Sequence, residues 1–170
     1  VGGWKGWDNN PAFGASTTDV QARSAPNSVD ILGASDLVHE YTANSGQWVY
    51  TAWQYIPGNM SGVSYFIMQN IYNDGGPYNW SVQVSFNSTS GLMTDDGSGA
   101  QQAYITDQWV EIRIEIDLDA DTQSFYYNGA LFYSGVWNGY ISGPGTGATV
   151  IGSVDLFANN ATSVYYDDMS

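Results

Sequence analysis

Across Trp109–Leu118 the chain reads WVEIRIEIDL, with an aliphatic side chain at every second position. Wound into a helix, those aliphatics would scatter around the cylinder; the pleat of a β-strand gathers them on one face. Val110, Ile112, Ile114, Ile116 and Leu118 are therefore expected to face a core, with Trp109, Glu111, Arg113, Glu115 and Asp117 opposite. Asn79–Phe86 repeats the pattern, Trp80, Val82, Val84 and Phe86 on one side and Asn79, Ser81, Gln83 and Ser85 on the other. Trp48–Ile56 and Val63–Tyr72 are apolar at both parities and read as central strands covered on two sides. No apolar pattern of helical period lasts ten residues. Just three of the 17 acids are Glu, and Lys and Arg together number three, so strong surface helix formers are scarce.

Turn chemistry separates the strands. Between the aromatic halves of Ser124–Tyr133 stands Asn128-Gly129, the pair suited to a type I′ hairpin turn, in which both central residues take positive φ. Pro57-Gly58-Asn59, Asn73–Pro77, Asp95–Gly99 and Ser142–Gly147 mark further reversals. Val150–Ala158 and Ser163–Met169 supply the last strands. With no internal repeat and no linker, residues 1–170 read as a single all-β domain, a two-sheet antiparallel β-sandwich.

Three cations against 17 acids give a net charge of −14. Such a polyanion is repelled by nucleic acid and by anionic membranes. No apolar run approaches the eighteen residues of a spanning helix. The absence of cysteine removes disulfides, thiolate metal sites and thiol nucleophiles together. With neither an initiator Met nor a basic-apolar leader, the chain reads as a mature protein or an excised piece.

Four segments resemble concanavalin A-like jelly-roll modules of secreted bacterial multi-domain proteins, the superfamily of laminin-G-like domains, lectins and glucanases. They are GQWVYTAWQYIP ending at Pro57, NDGGPYNWSVQV at Asn73–Val84, WVEIRIEIDLDADTQSFYYNG at Trp109–Gly129, and the closing VDLFANNATSVYYDDMS. The resemblance runs over most of the chain from Trp4 onward. It implies a concanavalin A-like jelly roll with one concave sheet where glycans are held, and an extracellular or cell-surface location. Related modules begin with an acidic-aromatic strand upstream of the Gly2-Gly3-Trp4 segment, so an N-terminal strand of the parent protein is expected outside this chain.

Catalytic patterns are weak. His39 is the sole histidine, and no Gly-x-Ser-x-Gly elbow accompanies it, so a serine triad lacks its parts. Glucanases of this superfamily carry Glu-x-Asp-x-(x)-Glu on one strand; Glu115-Ile116-Asp117-Leu118-Asp119 comes nearest, with Asp in place of the last Glu. Glu111 and Glu115 lie about 13 Å apart along a strand, too far for either glycosidase geometry, and Arg113 stands between them. The lyases of this architecture need cations to neutralise a uronate, and this chain has few. The sequence reads as no enzyme, with a degenerate glucanase-like hydrolase as the third reading.

For metals, Asp117-x-Asp119-x-Asp121 has the spacing of an oxygen-rich calcium loop but lacks the following Gly and the twelfth-position Glu, and reads as an acidic turn. The resemblance implies a structural Ca²⁺ held by a C-terminal Asp and an N-terminal acid, here Asp168 and Asp8.

Tryptophan and tyrosine are abundant, seven and 13 residues. Their flat apolar rings suit the C–H faces of sugars, and amides and Arg suit the hydroxyls. Trp53, Tyr55, Gln69, Tyr72, Asn79, Gln83 and Arg113 on strands, and Trp137 in a loop, are the candidate ligand-binding residues. The first function expected is a non-catalytic carbohydrate-binding module for a neutral polysaccharide or glycan. The alternative is a self-associating cell-surface, adhesive or filament-forming subunit, a homo-oligomer joined through its edge strands. Asn59, Asn79, Asn87 and Asn160 begin N-glycosylation sequons.

Overall fold

The structure is a computed structural model and describes residues 2–170. Two seven-stranded antiparallel sheets pack face to face. Numbered in chain order, the first sheet runs β1 (Trp4–Gly6), β4 (Asp36–Ala43), β13 (Ile151–Asn159), β6 (Val63–Ile71), β7 (Asn79–Asn87), β8 (Leu92–Asp95) and β9 (Gln101–Ala103). The second runs β12 (Ala130–Val136), β11 (Thr122–Tyr127), β10 (Trp109–Asp117), β5 (Gln47–Tyr55), β14 (Val164–Asp167), β3 (Ser28–Ile31) and β2 (Ser16–Thr18). Two 3-10 turns, Trp7–Asn9 and Pro11–Phe13, follow β1. This is the two-sheet antiparallel sandwich expected from the alternation, and the jelly roll that the resemblance implies.

The core lies between the sheets. Leu37, Phe66, Met68, Val82, Val84, Phe86, Met93, Val154 and Leu156 come from the first sheet. Ile31, Tyr50, Ala52, Val110, Ile112, Ile114, Ile116, Phe125, Tyr127 and Tyr166 meet them from the second. Strand β10 alternates half-buried and buried along its whole length. Asn128 and Gly129 take φ of 50° and 78°, the I′ geometry that closes the β11–β12 hairpin.

Strands β5 and β6 differ where their sequences look alike. Strand β6 is covered on both sides, and even Ile67 and Gln69 on its outer face are buried. Strand β5 is not: Tyr50, Ala52 and Gln54 face the core, while Thr51, Trp53 and Tyr55 are half-buried and Gln47–Val49 exposed. The cover over the first sheet comes from the chain after β1. Asp8 donates its N–H to Tyr72 at 2.9 Å, and Ser35 donates its hydroxyl to the Gly14 carbonyl, so the turn segment lies back over β4. On the second sheet, Arg23 and Ser24 bond to Asp167 and Asp168 and lay the Arg23 guanidinium across Trp53, so its outer face stays open only beyond them, where Tyr55, Trp109, Glu111 and Arg113 are half-buried.

Candidate functional site

That open face is ordered in rows, because the pairing register sets outward residues directly opposite one another. Tyr165, Tyr55 and Trp109 form one row across β14, β5 and β10, Tyr165 buried and the other two half-buried. Their ring centroids stand 6.2 Å apart from Tyr165 to Tyr55 and 5.6 Å from Tyr55 to Trp109. Asp167, Trp53 and Glu111 make the next row, followed by Thr51, Arg113 and Tyr126. At the Tyr55 end the face drops into a depression of ≈ 420 Å³ lined by Gln21, Tyr55, Pro57, Asn59, Asp107, Thr162, Ser163 and Tyr165. Within it Asp107 accepts the Gly58 N–H at 2.7 Å, Thr162 accepts that of Ser61, and Ser163 donates to Asp30. The planar amides of Gln21, half-buried at a bend, and Asn59, on an exposed turn, complete the lining. Rings beside amides and a carboxylate can hold an uncharged polyol from one flat side and around its rim.

Of the sequence-predicted residues, Trp53, Tyr55 and Arg113 share this face. Trp53 is not an open plate: the Arg23 guanidinium lies 3.7 Å from the ring centre. Arg23 is fixed there by an ion pair with Asp168 and by its N–H to Asp167 at 2.8 Å. Arg113 stacks 4.0 Å from the centre of Tyr126 and pairs with Glu115 and Glu111 on its own strand. Its fork is thus engaged, as is Lys5, which bridges Glu40 and Asp74.

Gln69, Tyr72, Asn79 and Gln83 belong to the other sheet and do not join them. Gln69 is fully buried, and accepts the Ser153 hydroxyl. Asn79 is buried in an amide network, accepting from Asn70 at 2.8 Å and donating to Thr146 at 2.9 Å. Tyr72 is buried in a cluster with Trp7 and Tyr78, centroids 5.0 Å and 5.8 Å away. Its hydroxyl is pushed well above the usual tyrosine range by burial. Gln83 donates to Asp96 at 2.7 Å. Trp137 corrects the expectation of a loop platform: it is 0% exposed in the core, its indole donating to the Val150 carbonyl at 2.7 Å. An indole with a backbone partner and apolar neighbours is a packing residue.

Asp8 lies in the 3-10 turn after β1, against Tyr72 and Tyr78, and Asp168 just past the end of β14, against Arg23 and Ser24. Asp8 accepts from the Tyr78 hydroxyl at 2.6 Å and the Gly75 N–H at 2.9 Å, and these bonds hold its carboxyl below the usual range. Asp168 is held low likewise, by Ser24 first and Arg23 second. Both its oxygens face protein donors, one of them a cation, so the pair does not fit a shared calcium ion. Among the described residues, no group of three or more His, Cys, Asp or Glu side chains is spaced to hold a metal. The Asp117 turn is closed by its own carboxylate, which accepts the N–H groups of Asp119 and Ala120.

Sequence patterning did not single out Tyr165, Gln21, Asn59 or Asp107, and placed Trp109 on the outer face without a role. Parity marks Tyr165 and Trp109 as candidates, but their meeting at Tyr55 depends on register between strands distant in sequence.

One close carboxylate pair lies elsewhere. Asp36 and Asp155 are neighbouring carboxyls on the outer side of the first sheet, and one oxygen of each is buried without a hydrogen-bond partner. Asp155 is 2% exposed, and burial pushes its carboxyl well above the usual range.

No protein-family profile and no curated protein sequence matches this chain. Solved structures do. A sialidase superposes with a TM-score of 0.61 at 7% identity, over 99% of this chain but 16% of its own. The carbohydrate-binding module CBM66 from Bacillus subtilis gives 0.58 at 10% identity, over 98% of this chain and 93% of that one. A putative glycosyl hydrolase from Parabacteroides distasonis gives 0.60 at 12%, covering 98% and 86%. At such identities the likeness is one of architecture, and by it this chain has the jelly-roll sandwich fold of lectin-like modules and glycosyl hydrolase-type β-sandwich domains.

Proposed function

We propose that this protein is a non-catalytic, extracellular carbohydrate-binding module that holds a neutral polysaccharide on the open face of its second sheet. The observation that carries the reading is the pair of half-buried rings Tyr55 and Trp109, backed by the buried Tyr165 in the same row and running into a depression whose rim offers Gln21, Asn59 and Asp107. Stacking on such rings needs no charge on the ligand, and a net charge of −14 disfavours an acidic one. That a module titled carbohydrate-binding shares the fold along 93% of its length supports the same assignment.

The carboxylates support binding over hydrolysis. Glu111 and Glu115 are held by Arg113 between them, and of the Asp36–Asp155 pair Asp155 is buried and Asp36 half-buried. An array of neutral polysaccharides tests the reading. Wild type should bind at least one glycan, and Tyr55→Ala or Trp109→Ala should weaken it about tenfold, the worth of one stacking contact near 1.4 kcal/mol. Glu115→Gln should bind as wild type. Absence of glycan binding, or release of reducing ends that Glu115→Gln abolishes, would overturn it.

A second reading, self-association, is favoured by the edge strand β12, where Leu131 and Val136 are exposed. Sedimentation at rising concentration tests it: a constant monomer mass rejects it.

A further inference from the structure

At the opposite end of β5 from Tyr55 the sandwich is not closed. A pocket of ≈ 630 Å³ opens there, lined by Tyr41, Thr42, Ala43, Asn44, Ser45, Trp48, Val49, Tyr50, Met68, Ile151 and Ser170. Tyr50, Met68 and Ile151 are core residues, so its floor is the hydrophobic interior itself. Trp48 and Val49 flank it, 48% and 57% exposed, among the most exposed large apolar side chains of the chain. The Trp48 indole is tied to the Ser45 carbonyl at 2.8 Å, so its ring is held in place. Thr42, Asn44, Ser45 and Ser170 supply polar groups around this apolar surface. A second observation is independent of the lining. The Tyr50 hydroxyl is buried beside the Tyr41 phenol, and no hydrogen bond of good geometry satisfies it, a state that is costly unless something supplies an acceptor.

We infer that this pocket is a binding site for a compact, uncharged, ring-containing molecule that carries one hydrogen-bond acceptor. Size and lining match a small-molecule site: mostly apolar and aromatic walls with few polar groups. The net charge of −14 rules against an anionic guest. Tyr50 is the donor that would fix its orientation, once the guest displaces the Tyr41 ring standing edge-on at 6.2 Å. The site lies seven residues along β5 from Tyr55, roughly 24 Å, and does not rest on the glycan reading.

Prodan, a neutral naphthyl ketone whose emission reports on polarity and on hydrogen bonding to its carbonyl, is a suitable probe. Titrated with the full chain, it should show blue-shifted emission saturating at one equivalent, with quenching of tryptophan emission. Ala43→Phe, which fills the pocket, should abolish saturation. Tyr50→Phe should keep the fold, by its thermal midpoint, and bind about tenfold more weakly, the worth of one hydrogen bond. Emission that rises without saturation, or equal affinity in wild type and a folded Ala43→Phe, overturns the site. Unchanged affinity in Tyr50→Phe overturns the donor assignment. An intact glycan response with no prodan binding would sink this inference alone.

Discussion

Replacing Asp155 by Asn preserves the shape of the side chain, keeps a donor toward Asp36, and removes a charge that the fold has no place for. Asp155 is buried beside Asp36, and burial and the neighbouring carboxyl both raise its pKa from the ordinary value of 3.8. The sign follows from proton counts. Between pH 3.8 and the raised native value, the unfolded chain has lost a proton that the native protein keeps. Stability from this group is complete below the ordinary value and drains away as pH rises through the native one, at about 1.4 kcal/mol per pH unit for one proton. The Asn variant lacks this loss. Its stability relative to wild type should therefore climb by about 1.4 kcal/mol between pH 4 and pH 5, or roughly 0.7 M in the urea midpoint at a slope near 2 kcal/mol/M. It should level off only where the native pair has ionised. Urea unfolding at half-unit steps from pH 3.5 to 7.5 measures this, with unchanged slopes as the check on two-state behaviour. A stability difference flat across that range, or an Asn variant weaker than wild type at pH 7, would refute the reasoning and mean that the pair is ionised and compensated.

The acid limb should behave in the opposite sense. Asp8, Asp117 and Asp168 have lowered pKa values, so their stabilisation is present above the ordinary value and lost as pH falls through the native ones. Asp168→Asn should flatten the stability fall below pH 4 in the same urea series. Trp137→Phe should cost about 2–4 kcal/mol through a cavity and an unpaired Val150 carbonyl, seen as a lower thermal midpoint with glycan affinity unchanged. Gly129→Ala should cost only about 1 kcal/mol, because φ is +78° but no atom lies within 4 Å of the new Cβ. Gly62→Ala should cost more by the same thermal assay, since its Cβ would fall 2.3 Å from the Asn160 carbonyl oxygen at φ +81°.

Strands whose two faces differ are plain in the sequence. The alternation of β10 and the Asn128-Gly129 turn each express a local rule, and the structure follows it; in β7 the rule holds for Val82, Val84 and Phe86 but a bulge opposite Gln69 turns Asn79 and Ser81 inward and leaves Trp80 half-buried. What covers a sheet from outside is a different matter. Strands β5 and β6 are equally apolar, yet the outer residues of β5 are half-buried or exposed while Ile67 and Gln69 of β6 are buried, and the tertiary contacts involved, such as Asp8 with Tyr72 and Arg23 over Trp53, are encoded by no local pattern. The short strands β1, β2, β8 and β9 carry three or four residues each, below the length at which alternation separates from chance. Tyr55 and Trp53 were legible as outward aromatics. That Arg23, about thirty residues earlier, lies across Trp53, and that Tyr165 meets Tyr55 from the far end of the chain, are consequences of register.

The seven tryptophans give seven indole N–H signals, one at each place the account separates. Following them in nitrogen-15-labelled protein titrated with the best array glycan maps the contact directly. The expected result is movement at Trp109, with a smaller shift at neighbouring Trp53, while Trp137 in the core and Trp48 at the far pocket stay fixed. Movement confined to Trp7 and Trp80 on the first sheet, with Trp109 unmoved, would contradict the placement of the glycan on the second.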